Sequence, residues 1–225
     1  MDKIVKAIEA LKNGKFVLIF DDENREGETD LVMAAKFVVT ESIEIMRKDG
    51  GGLICIAMSD EVAKKLEIPY MVDVLRFSSS KFRVLSYLSP TDIPYDERSS
   101  FSLTINSRDT FTGITDKDRA LTIKKFADLA ESAINGHADA KRFGELFRSP
   151  GHVHLLIAAK GLLAERRGHT ELSVALLKHA GIVPVSVVCE MLWHDKALPK
   201  EKAKLYAERN GYVFLEGSEI VEGLK

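Results

Sequence analysis

The stretch FVLIFDDENREGETDLVMAAKFV, Phe16 to Val38, sets an apolar run, a dense charged segment and a second apolar run end to end. FVLIF reads as a buried strand, and the run from Thr29 to Val38 as a second one. Between them, seven of the ten positions from Asp21 to Asp30 are charged. Taken alone, an acidic loop is more often a solvated polar turn than a site. Against that, Asp21 and Asp22 follow the strand with no turn residue between, an awkward place to stack like charge. Carboxylates around Gly27, with Arg25 among them, suit a hard cation held beside an anionic ligand.

Outward from this stretch, strand and helix alternate. Ile4, Val5, Ile8 and Leu11 form one helical face before it, with Asp2 as the N-cap and Gly14 as the stop. After it, Thr40 is placed to cap a helix ending at Gly50, LICIAM gives a further buried strand, and a short helix starts at Ser59. KFRVLSYL and SFSLTIN alternate in polarity and are expected to pair as strands across SPTDIPYDERSS, Ser89 to Ser100, an exposed loop. Thr115 and Asp118 resemble a capping box opening the helix GITDKDRALTIKKFADLAES, and the segment INGHADAKRFGELFRSPGH after it reads as irregular. VHLLIAA and PVSVVCEM are strands, joined by the helix ELSVALLKHAG with Thr170 as its cap. KEKAKLYAERNG, YVFLE and a short last helix close the pattern. With no linker, low-complexity tract or repeat, residues 1–225 are expected to form a single three-layer α-β-α domain around a mixed parallel/antiparallel sheet.

The totals narrow the function. At 225 residues and 45% hydrophobic composition the chain can bury one sizeable core, and 32 basic against 34 acidic residues leave a formal charge of −2. No global field then favours nucleic acid or an anionic membrane, so an anion site must be local. Cys55 and Cys189 lie in apolar runs without a CxxC spacing, which suits a reducing compartment. The N-terminus lacks a signal peptide's apolar core, and no apolar run approaches the roughly 18 residues of a membrane span. A cytoplasmic protein is expected.

Four segments carry candidate chemistry, all at strand ends, where α/β folds place ligands. The first is the acidic loop. The second, AERRGHTEL, puts Arg166, Arg167, His169 and Thr170 at a helix start, where free N–H groups, the helix dipole and arginine forks favour phosphate; a well-capped helix with surface arginines is the competing reading. The third, SPGHVHLL, places His152 and His154 on one strand face, more often structural than metal-binding. The fourth ends an apolar strand with Glu190, where an unpaired carboxylate is costly unless it has a partner or a catalytic task.

DDENREGETDLV, TGITDKDRA, SPGHV, RRGHTEL and VVCE, in this order, closely resemble the 3,4-dihydroxy-2-butanone 4-phosphate synthases of riboflavin biosynthesis. That resemblance implies conversion of ribulose 5-phosphate into a four-carbon ketone phosphate and formate, with magnesium or manganese, in a homodimer with sites near the subunit interface. Carried over motif by motif, it makes Glu26 and His169 metal ligands, and Arg25, Asp30, Thr112, Arg166 and Thr170 substrate contacts. It also makes His152 and Glu190 the acid/base pair, with Asp21, Glu28 and Cys55 further catalytic positions. Ser149 stands where the family commonly has arginine, and the Ser89 to Ser100 segment is longer than the bacterial pattern. Nothing after Lys225 corresponds to the cyclohydrolase domain often fused behind this enzyme, so a monofunctional form is expected. The rivals are another metal-dependent sugar-phosphate enzyme, such as a phosphatase, and a non-catalytic sugar-phosphate-binding module.

Overall fold

The structure is a computed structural model that describes residues 3–88, 92, 93, 96 and 98–224. A seven-stranded sheet in the order β4-β5-β3-β6-β2-β1-β9 forms its middle layer. The strands are β1 Val17–Phe20, β2 Thr29–Ala34, β3 Cys55–Met58, β4 Phe101–Ser107, β5 Phe147–Ile157, β6 Val185–Glu190 and β9 Val213–Glu216, with β7 Leu192–Trp193 and β8 Lys196–Ala197 in a separate two-stranded ribbon. β1 runs parallel to β9 and β3 parallel to β5, while the other neighbours in the sheet are antiparallel. The mixed sheet expected from the alternation is present.

Every residue of β2 is buried because both faces of the sheet are covered. On one face Leu31 and Met33 join Ile43 and Met46 of α2 (Thr40–Asp49), Val62 of α3 (Asp60–Lys65), Phe126 of α5 (Asp116–Ile134) and Ala203 of α8 (Lys200–Asn210). On the other, Val32 and Ala34 meet Leu11 of α1 (Lys3–Lys12), Leu172 and Leu176 of α7 (His169–His179) and Ile220 of α9 (Gly217–Gly223). A buried side chain of this size contributes about 1.5–3 kcal/mol, so the strand alternation is strongly enforced.

Several local expectations are corrected. KFRVLSYL is no strand: Arg83–Tyr87 is a 3-10 turn after helix α4 (Met71–Ser78), and β4 pairs with β5 instead. Its alternation marks no buried face, since Phe82, Val84, Tyr87 and Leu88 are all more than half exposed. The second strand stops at Ala34, where Ala35–Phe37 turns into a 3-10 segment. INGHADAKRFGELFRSPGH is not irregular, for it holds α6 (Ala140–Leu146) and the start of β5. Val39, not Thr40, takes the cap position of α2 and gives its N–H to Ser42 Oγ. In α7 the cap is Gly168, and Thr170 lies inside the first turn. A side chain at 168 would stand 2.3 Å from Arg166 Nη1, so glycine leaves room for that guanidinium beside the helix start. The proposed Asp2 cap, and Ser89, Pro90, Thr91, Pro94, Tyr95 and Glu97 of the long loop, lie outside the described residues.

Candidate functional site

The charged loop folds around its own first acid. Asp21, directly after β1 and 3% exposed, accepts the backbone N–H groups of Glu26 and Glu28, each at 3.1 Å, and Arg25 Nη1 at 3.2 Å. Gly27 turns the chain with φ +64. Asp22, Glu23 and Asn24 are exposed. Burying a carboxylate is affordable here because it satisfies backbone donors that the tight loop would otherwise strand.

His169, at the N-terminus of α7, meets this loop. Its Nδ1 lies 3.6 Å from Glu26 Oε2 and its Nε2 3.5 Å from Asp30 Oδ1 and 3.1 Å from the Glu28 carbonyl. Asp21, Glu26 and His169 can each offer a ligand atom, all within 4.8 Å of one another. Burial opposes a charge on His169, but Asp30, Glu26 and Asp21 outweigh it and raise its pKa to about 10. The contact with His169 pulls Glu26 below the usual carboxylate range, against its burial. A protonated imidazole therefore neutralises part of a carboxylate ring.

Asp30 and Glu190 are direct cross-strand partners at the ends of β2 and β6. Burial first, and neighbouring carboxylates next, push Asp30 well above its ordinary value; the His169 charge only partly offsets this. Burial also raises Glu190 and Glu28. Asp30 Oδ1 is buried with no hydrogen-bond partner among the described residues, an acceptor left for a further ligand. Cys55 lines the same cavity, its thiol pushed well up by burial, so it is a neutral wall group rather than a thiolate.

Arg166 and Thr170, which flank His169 at the start of α7, also line the cavity. Its Nη1 donates to Glu171 Oε2 at 2.5 Å, and Glu171 Oε1 accepts the Ala159 N–H at 2.8 Å. Asp96, from the supposedly exposed loop, reaches in and bridges Arg166 to Arg25. Burial works against the Arg166 charge, yet Glu171 and Asp96 hold it above the ordinary guanidinium range. Arg167 points away, bonding the Leu163 carbonyl.

His152 and Thr112 form a second group outside this cavity. Asn106 of β4, 3% exposed, accepts the His152 N–H at 2.8 Å, lies 3.1 Å from its Nδ1 through Nδ2, and donates to the Thr112 carbonyl at 3.3 Å. Cys55 is level with His154 on one side and Val188 on the other, so His152 and Glu190 lie at the same end of the sheet with β3 between them. Two strand spacings make that separation roughly 10 Å. Beside this group Phe111 is 96% exposed. Sequence reasoning missed Asn106, Asp96 and Glu171. Asn106 is an uncharged residue within a strand, Asp96 stands among the mixed charges of DER in the long loop, and Glu171 is an acid in the first turn of α7, so no spacing marks any of the three.

Fold and cavity together define an α/β protein whose pocket sets carboxylates and an imidazole beside an arginine fork. The family model of 3,4-dihydroxy-2-butanone 4-phosphate synthase matches residues 5–223. A synthase of that name from Methanosarcina mazei is 52% identical over 98% of this chain and 90% of its own, and one from Methanothermobacter thermautotrophicus 50% identical over 97% and 94%. A crystal structure of a 3,4-dihydroxy-2-butanone 4-phosphate synthase in complex with two magnesium ions superposes with a TM-score of 0.78 at 28% identity, covering 100% of this chain and 97% of that one. The chain belongs to the 3,4-dihydroxy-2-butanone 4-phosphate synthase family, lyases of riboflavin biosynthesis.

Proposed function

We propose that the protein converts D-ribulose 5-phosphate into L-3,4-dihydroxy-2-butanone 4-phosphate and formate. The observation that carries this reading is the carboxylate and imidazole cluster of Asp21, Glu26 and His169, of which Glu26 and His169 line one cavity with the Arg166 fork. The donor set fits magnesium or manganese: carboxylate oxygens and one imidazole, with the buried Asp30 Oδ1, which accepts no hydrogen bond among the described residues, alongside. Such an ion, when bound, polarises carbonyl and hydroxyl oxygens and stabilises an enediol. Glu26 and His169 are the ligands in this reading, and Asp21 both shapes the loop and completes the ring.

Arg166, Arg25 and Thr170 hold the phosphate end, because an arginine fork and a helix N-terminus are complementary to that dianion. Asp30 takes a sugar hydroxyl. Glu190 and Glu28, with their raised proton affinities, take up and return protons at their carboxylate oxygens, and His152 is the second acid/base group. The protein works as a homodimer: His152, Thr112 and the bare Phe111 form an outward-facing patch that a second copy would cover, completing sites near the subunit contact. Among the described residues no helix is long and apolar enough to cross a membrane.

Incubation of the purified chain with ribulose 5-phosphate, with and without magnesium, is the test. Metal-dependent formate is expected, abolished in Glu26→Gln and His169→Asn while their circular dichroism is unchanged. Inorganic phosphate in place of formate would instead mark a phosphatase.

A further inference from the structure

We propose that Asp96 is an internal substitute for the ligand's phosphate: its carboxylate occupies the donors of Arg25 and Arg166 and has to leave them before a phosphorylated ligand can bind there. The inference rests on the reading above that these arginines grip the phosphate, and it adds a residue that sets which ligands gain entry.

Both Asp96 oxygens accept Arg25 Nη2 at 2.9 Å, and Oδ2 also accepts Arg166 Nε at 3.0 Å and Nη2 at 2.6 Å. The Nε–Nη2 edge is the face by which arginine takes a carboxylate or phosphate in parallel hydrogen bonds. The remaining Nη1 is engaged by Glu171, which is fully buried in α7 and anchored by a backbone N–H. Of the two acids on Arg166, one is therefore fixed in a helix. The other stands outside any helix or strand, on the connection leading to β4.

Asp96 lines the same cavity as Glu26, Asp30, His169, Thr170 and Glu190, so the anion it places on the arginines faces the chemistry. Two anions cannot share one set of N–H donors, and their charges repel at contact distance. A dianionic phosphate brings twice the charge of a carboxylate and more acceptor oxygens, and it displaces Asp96. An unphosphorylated sugar cannot. Asp96 thereby sets a threshold that favours phosphorylated ligands.

Titration calorimetry with inorganic phosphate on the full-length, metal-free protein tests this. Asp96→Asn and Asp96→Ala are expected to bind phosphate at least about tenfold more tightly than the unaltered chain, because a competing charge-assisted contact is gone. Equal or weaker phosphate binding by either folded variant overturns the proposal. Arg166→Gln in the Asp96→Asn background is expected to erase the gain. If tight phosphate binding survives in that double variant, the phosphate lies elsewhere and it is the assignment of the grip that fails.

Discussion

Metal binding to this site must expel a proton, and the size of that effect follows from the surroundings of His169. A divalent cation can use the imidazole lone pair only after the proton leaves, and the carboxylate ring raises its pKa to about 10. At pH 7 that deprotonation costs roughly 4 kcal/mol, three pH units at about 1.4 kcal/mol each. Apparent magnesium affinity should therefore rise about tenfold per pH unit from pH 7 to 9, with at least about one proton released per protein. Calorimetry at pH 7, 8 and 9, in buffers of different ionisation enthalpy, reads both quantities directly. His169→Asn should bind more weakly, with a flatter pH dependence and about one proton fewer released. Equal affinity across the range, without proton release, would refute the idea that a histidinium holds the place of the metal.

The same group governs the pH stability of the metal-free protein. Its folded pKa of about 10 lies above the free value of 6.5, so its contribution is complete below pH 6.5 and is lost as pH rises toward 10; thermal melts should show that decline, and His169→Asn should lack it. Glu171→Ala removes one of the two acids on Arg166, which should cost about 1.5–3 kcal/mol in urea denaturation and raise KM more than it lowers kcat. Gly113→Ala places a methyl carbon 2.2 Å from the Asn106 side chain at φ +90, and should displace Asn106, free His152 and depress kcat beyond the loss in melting temperature. Phe126→Ala, in the face covered by α5, should cost about 3–5 kcal/mol in stability and leave metal binding intact.

Much of the layer structure was legible because VLIF and CIAM are continuous apolar runs and VSVVCE is interrupted only by Ser186 before its terminal Glu190, the pattern of a strand buried on both faces. KFRVLSYL misled for a related reason: period-two alternation signals a strand only where one face is buried, and here the apolar side chains lie bare. β5 was seen only in its second half, since Pro150 and Gly151 interrupt its first half where the pairing with β4 shifts register. In the cavity, Glu26, His169, Arg166 and Glu190 were singled out by charge placed against apolar strands or a helix start. Asp96 was not. Its partners Arg25 and Arg166 are 71 and 70 residues away, and no local pattern encodes an ion pair closed over such a span. The separation of His152 from the main cavity was likewise invisible, because it follows from strand order rather than from strand identity.

The facing of Asp30 and Glu190 across β2 and β6 also makes the cavity a gauge of correct folding. A slip of one residue between those strands would turn their side chains to opposite faces of the sheet and break up the cluster that His169 joins. Metal added during refolding would then stabilise only chains whose central strands have paired in the native register. The metal would act as a proofreader of sheet assembly before it acts on any substrate.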